Sequence, residues 1–408
     1  MTTTDEQISI YDKASTEIVD NRVFNVTATG GEPLAVLKQA YPYLKRLTDG
    51  GVGLSFNTNL TMFTKEKPQL LKDLGVRSVL TSLMSEDPEL NDELANRPNT
   101  HHDVTRGIRL ALDEGFGVLV NMVVTKKNLH DIYATAEYVK SLGVKSFSAT
   151  KASTPINSQD FGAYALSPDE VRLIIQELVL IGDNLGLTTD SLEFYSMCAF
   201  YTQEARDFTA SRTCTAGKTA CTIGFDGQVR PCSHAVQTYG SVIKSGGLKQ
   251  AWSNMRPWRT DEYIPTGCSE CSLRNLCRGG CRSEAFVING SLDAPDPYCD
   301  YDNVPLRKTL SPKMEIDFST EYRFKQGMKL REEDFGGILF VAPAKWAGVT
   351  RDLYHFCQEN LNKKFTLDAL GQGLGLDDRL AISQTAEFLL KKSIIKKGGE
   401  KNESRNDS

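Results

Sequence analysis

The chain has 408 residues, 40% of them apolar and 24% charged, a globular composition long enough for two or three domains. Its net charge of −5 gives no basis for nucleic-acid binding, and no run of about 18 or more apolar residues offers a membrane span. The N-terminus, MTTTDEQISIYDKASTE, has no apolar core and is no signal peptide, so the expected location is the cytoplasm.

The first 150 residues alternate strand and helix patterns. Strands are predicted over Val23 to Thr27, Val52 to Phe56, Ser78 to Leu83, Val118 to Val124 and Lys145 to Ala149. Helices fall between them, one from Leu129 to Leu142 behind an Asn128 cap. This alternation predicts an α/β fold with a parallel sheet, as a barrel or an open sheet, whose site lies at the C-terminal strand ends. A further helix begins at Ser167, with Pro168 in its first turn and Glu170 completing a capping box, and runs to about Asp183.

From Cys198 to Asp302 the rhythm fails, and cysteine, glycine and short loops replace it. None of the ten cysteines precedes Cys198, and eight lie between Cys214 and Cys299. In a reducing compartment such clustering favours metal ligation over disulfides. Thiolates are soft ligands that suit an iron–sulfur cluster or zinc, and ligation supplies folding energy where an apolar core is thin.

The order Cys214-x12-Gly227-x4-Cys232, then Cys268-x2-Cys271-x5-Cys277-x3-Cys281, then Cys299 resembles the seven-cysteine signature of the SPASM domain. That domain is carried by radical S-adenosylmethionine (SAM) enzymes that modify peptides and proteins. The resemblance implies auxiliary 4Fe-4S clusters, one or two. Cys214, Cys232 and Cys281 would bind the first; Cys268, Cys271, Cys277 and Cys299 the second. The eighth ligand is Cys221 or Cys198, or that iron stays open for substrate; spacing does not choose. The competing reading is a zinc-ribbon-like fold. Cys357, in an apolar helical context, reads as a core residue.

Upstream, Gly30-Gly31-Glu32-Pro33 follows the first strand pattern. By itself it is a strand-to-helix turn. Ahead of a SPASM-like pattern it resembles the radical SAM motif that binds the methionine ammonium, a donor-only group that a backbone edge and Glu32 suit. Asn59 (in Asn57-Thr58-Asn59), Ser82 and Asn121 fall where that family contacts SAM. The resemblance covers residues 20 to 302 and implies a partial (β/α) barrel over 1–190 and a SPASM domain over 191–302. The family's Cys-x3-Cys-x2-Cys loop, which ligates the SAM-binding 4Fe-4S cluster, is absent. The expected explanation is a sequence that lacks its true N-terminus, with a degenerate member as the alternative.

Residues 303 to 318 read as a linker, and residues from Gly398 as a disordered tail. Between them, over 319–397, strands are predicted at Phe318 to Leu330 and Gly337 to Val341, with a hairpin from Lys329 to Phe340. Helices are predicted at Thr350 to Asn360, Leu367 to Gly371 and Ala381 to Lys391, with Leu353, Phe356, Leu367, Leu370, Phe388 and Leu389 at core spacing. The segment resembles the RiPP recognition element, a small winged-helix-like peptide chaperone first known from pyrroloquinoline quinone biosynthesis. That implies leader-peptide binding by strand addition; a generic or DNA-binding winged helix is the alternative.

Together these features point to a radical SAM enzyme that modifies a ribosomally synthesised peptide or protein through a 5′-deoxyadenosyl radical. The implied partners are a precursor peptide or protein and an electron donor such as a flavodoxin or ferredoxin, with neither nucleic acid nor membrane. The alternative is a non-catalytic or truncated homologue that binds a leader peptide and transfers electrons.

Overall fold

The computed structural model describes residues 4–156, 161–210, 212–303, 316–342 and 345–398. The chain divides into two units, 1–306 and 307–407.

The first unit is built on six parallel strands: β1 (Asn25–Ala28), β2 (Gly53–Asn57), β3 (Ser78–Ser82), β4 (Gly117–Val124), β5 (Ser146–Lys151) and β6 (Thr188–Asp190). They lie side by side in chain order, β1 to β6, the succession of a (β/α) barrel left open. Helix α1 (Asp5–Asp20) precedes the sheet, and α2 (Leu37–Asp49), α3 (Lys67–Asp73), α4 (Pro88–Leu94), α5 (Thr100–Asp113), α6 (Ile132–Ser141) and α7 (Pro168–Leu185) form the connections. β4 is apolar almost throughout, Gly-Val-Leu-Val-Asn-Met-Val-Val, as expected of a parallel strand covered on both faces. Helix α7 packs Val171, Ile174, Ile175, Leu178 and Ile181 inward at helical spacing, and its Ser167–Glu170 capping box forms as expected.

The five predicted strands are present; the sixth, three residues of Thr-Thr-Asp, has no apolar signature. Asn128 is not a helix cap. Its Oδ1 accepts from Thr125 N (2.7 Å), and its Nδ2 donates to Met84 O (2.7 Å) and Val123 O (3.0 Å), so it is a buried tie between strand ends. The helix behind it begins as a short 3₁₀ turn, Leu129–Asp131.

The cysteine-rich remainder of this unit has short elements: α8 (Gln203–Thr209), a small antiparallel sheet of β7 (Thr222–Ile223), β8 (Gln228–Arg230) and β9 (Gly240–Ser241), then α9 (Gly247–Asn254), α10 (Arg274–Cys277) and α11 (Arg282–Asn289). Glu17 of α1 reaches the start of α9, where its Oε2 accepts from Leu248 N at 3.1 Å, a carboxylate at a helix N-terminus.

The second unit has its own apolar core, which includes Tyr322, Leu339, Phe356, Cys357, Leu370 and Leu389. Its elements are β10 (Tyr322–Phe324), β11 (Lys329–Glu333), β12 (Gly336–Ala342), β13 (Lys345–Val349), α12 (Arg351–Asn360), β14 (Lys364–Phe365), α13 (Leu367–Gly373), α14 (Arg379–Lys391) and β15 (Ile395–Lys397). The expected hairpin forms, with Glu333 opposite Gly336. The single strand predicted over Phe318 to Leu330 is two, β10 and β11, in different sheets. Phe388 departs from the predicted core. Ile382, Ala386 and Leu389 face inward on α14, which leaves Phe388 39% exposed. Most of the expected linker (304–315) and tail (399–408) lies outside the described residues.

Candidate cofactor and cluster sites

Parallel strands align their C-terminal ends, so residues that close different strands meet on one rim. Gly30 and Gly31 follow β1 with φ of +87° and +54°. A Cβ at either would meet nothing within 4 Å, so the requirement for glycine is backbone conformation and not space. The turn aims Glu32 across the rim to β2. Glu32 Oε1 accepts from Leu34 N (2.9 Å) and Thr58 Oγ1 (2.6 Å), and Oε2 accepts from Asn59 N (2.9 Å). Pro33 is buried at the start of a 3₁₀ turn. Thus Glu32, Pro33 and Asn59 share one structure, and Thr58 joins them as its lock. A carboxylate has about four lone-pair sites, and Glu32 uses three here, so it retains capacity for an ammonium.

Ser82 and Asn121 are register partners on β3 and β4, and the row continues through Ser148 on β5 to Asp190 on β6. Asn121 is nearly buried. Its Oδ1 accepts from Ser148 Oγ (3.0 Å) and Thr150 Oγ1 (2.8 Å). No hydrogen bond links Ser82 or Asn121 to Glu32; the sheet sets them on neighbouring strands of the same rim. Asp190 forms an ion pair with Arg212, two residues before Cys214, and so ties the sheet edge to the cysteine region.

The nine cysteines of the first unit fall into two sets, all as free thiols. Cys221 enters β7, and Cys232 leaves β8 just past the Thr222–Arg230 pair, so both stand at the open end of one hairpin. The turn from Cys214 folds onto the same end, where Gly217 N donates to Ala220 O (2.9 Å) and Pro231 O (3.2 Å). Cys281 caps α11, and Ser283 Oγ lies 3.5 Å from Cys232 Sγ. Burial pushes the Cys214 and Cys281 thiols up.

In the second set, Cys299 is a hydrogen-bond partner of both Cys198 and Cys268, which hold it below the usual thiol range. Those bonds raise Cys198 and Cys268 in turn. Burial pushes Cys277 up to about 11, and its Sγ accepts from Met197 N at 3.4 Å. Cys271 is three residues from Cys268, and its N–H donates to Cys268 O. Cys198 therefore belongs with this second set, and topology groups Cys221 with the first. Among the described residues no three His, Cys, Asp or Glu stand close enough to hold a single metal ion. The donors in both sets are soft, partly or fully buried sulfurs, which fit iron–sulfur ligation.

Sequence reasoning missed a buried charge cluster between rim and cysteines. Lys151, the last residue of β5, has its Nζ 2.9 Å from Glu193 Oε1 and 3.2 Å from Glu284 Oε1. The three side chains are 2%, 9% and 4% exposed. A lysine closing an otherwise uncharged strand, Ser-Phe-Ser-Ala-Thr-Lys, was the available signal.

Residues 9–139 match the family described as the radical SAM superfamily. This region is a radical SAM domain. The chain is 26% identical over 296 residues to the AdoMet-dependent heme synthase of Nitratidesulfovibrio vulgaris, which covers 67% of this chain and 78% of that protein. It is 24% identical over 340 residues to the PqqA peptide cyclase of Bradyrhizobium diazoefficiens, with 78% and 83% covered. The structure of native anSMEcpe with bound AdoMet and Cp18Cys peptide is similar in fold, at a TM-score of 0.57 and 16% identity, over 74% of this chain and 87% of that one. Among the described residues no helix is long and apolar enough to cross a membrane.

Proposed function

We propose that this chain is a radical SAM protein of the peptide-modifying kind, with SAM held at the sheet rim and two auxiliary 4Fe-4S clusters in the cysteine region. The observation that carries the reading is the conjunction of the Glu32–Thr58–Asn59 lock at the strand ends with two gathered thiol sets in the same compact unit. Glu32 and the open backbone of Gly30 and Gly31 would take the SAM ammonium, with Ser82 and Asn121 on the adjoining strands. Cys214, Cys221, Cys232 and Cys281 would hold one auxiliary cluster, and Cys268, Cys271, Cys277 and Cys299 the other. The assignment of Cys221 rests on its place at the root of the β7–β8 hairpin beside Cys232. SAM, when reduced, supplies a carbon-centred radical that takes a hydrogen atom from substrate, and auxiliary clusters carry electrons. The first cysteine is Cys198, so this sequence has no cysteine ahead of Gly30 to ligate the cluster that reduces SAM.

The relatives' names divide between heme synthesis and peptide cyclisation. A peptide substrate is favoured by the second unit, where, among the described residues, β13 stands at an edge of the sheet β11–β12–β13. An extended leader added to such an edge gains main-chain hydrogen bonds, with side-chain pockets for selectivity. An electron donor such as a flavodoxin or ferredoxin belongs to the same proposal.

Anaerobic purification with iron and sulfide reconstitution tests the reading. Iron with matching acid-labile sulfide is expected; one zinc without sulfide overturns it. Cys221→Ser is expected to lose one cluster's worth of iron, about four atoms, and Cys198→Ser to keep it. Titration of labelled precursor peptides should give binding that survives chelators, because none of the ten cysteines except buried Cys357 lies in the second unit.

A further inference from the structure

The Lys151–Glu193–Glu284 cluster joins three separate pieces of chain: the end of β5, the segment after β6, and the first turn of α11. Lys151 Nζ also lies 5.2 Å from the centre of the Tyr298 ring, and Glu284 Oε1 accepts from Thr154 N at 3.3 Å. The Lys151–Glu193 contact is an ion pair by distance but is not aligned as a hydrogen bond. Burial pulls the Lys151 ammonium down, and the two carboxylates more than offset it, so it stands well above the usual lysine range.

The cluster is buried beside the first cysteine set. Glu284 N–H is directed to the Cys281 sulfur, and Ser283 approaches Cys232. The other charged groups nearby are Arg282, whose guanidinium is taken up by the carbonyls of Leu292 and Ala294, Asp296, which accepts from Cys281 N, and His234 beside Ser153. Burial raises the Glu193 carboxyl and the Lys151 ammonium beside it lowers it; with both carboxylates ionised, two against one ammonium leave the triad a surplus negative charge. Buried ion triads are poor stabilisers compared with apolar packing, so this one calls for another role.

We propose that Lys151, Glu193 and Glu284 set the reduction potential of the cluster held by Cys214, Cys221, Cys232 and Cys281, with Lys151 as the positioning residue that fixes how much negative charge faces it. This rests on the cluster reading above. Reduction adds an electron to the cluster, and a like charge in a low-dielectric interior opposes it, so the triad holds the potential low. A low potential suits a centre that must pass an electron onward rather than retain it.

The test is a redox titration of the full, reconstituted chain, followed by electron paramagnetic resonance on the signal that Cys214→Ser removes. Glu193→Gln deletes a negative charge at nearly constant shape and should raise the potential. Lys151→Met should lower it, and the double variant should return towards the wild-type value. A merely structural role would move both single variants in the same direction, or neither, and either result overturns the proposal. Should Lys151→Met fail to fold, Glu193→Gln decides alone: an unmoved or lowered potential with the cluster loaded overturns it. A wild-type chain without iron and sulfide overturns the cluster reading, and this inference with it.

Discussion

Glu32 does two jobs that separate on substitution. It fastens the turn after β1 to the end of β2 through Thr58 and Asn59, and it carries the charge proposed to meet an ammonium. Glu32→Ala leaves those donors without their acceptor. Hydrogen bonds to a charged group contribute about 1.5–3 kcal/mol, and urea unfolding of the first unit is expected to show a loss of that order. Asp317 in the second unit gives a pH signature. Hydrogen bonds from Ser319 and Thr320 lower its carboxyl to about 2. A carboxyl lowered on folding contributes stability above its unfolded pKa, near 4, and loses it as pH falls towards 2. Wild type should therefore exceed Asp317→Asn in stability above about pH 4, and the gap should close on acidification, as followed by thermal melts across that range.

At the scale of elements, α5 fits the rim only because Gly107 is small. A Cβ there would stand 2.3 Å from Leu60 O and 2.8 Å from Leu60 Cβ, in a loop where Leu60 itself has φ of +56°. In an open helix, Gly→Ala stabilises by roughly 0.5–1 kcal/mol. Here Gly107→Ala is expected to destabilise instead, by about 1–3 kcal/mol, which differential scanning calorimetry would register as a lowered Tm. The long apolar strands and capped α7 were legible in the sequence because their periodicity is local. The Gly30–Pro33 turn and the cysteine order were legible because their spacing is. Three kinds of feature were not. β6 is too short and polar to carry a pattern. Asn128 has the composition of a cap and the partners of a tie. Lys151, Glu193 and Glu284 meet only once β5, β6 and α11 are assembled, and no local window contains more than one of them. Cys198 and Cys221 are interchangeable by spacing; the proposed choice of Cys221 draws on its place beside the hairpin and on the nearness of Cys198 to Cys299, neither of which spacing reveals.

For the whole molecule, the chemistry and the scaffold are separable. The 408 residues are expected to form no 5′-deoxyadenosine from SAM and a reductant, because no cysteine precedes Cys198; chromatographic detection of that product with repeated turnover would contradict this. Auxiliary cluster assembly should proceed regardless. The Glu17 contact with Leu248 N bears on how the first unit comes apart. A residue near the start of the chain caps a helix deep in the cysteine region, and Asp190–Arg212 and Lys151–Glu284 bridge the same two regions elsewhere. A protease cut in the segment around Thr202, between the sheet and the first cysteine set, should therefore leave two fragments that still migrate together on a native gel, released from each other only by denaturant.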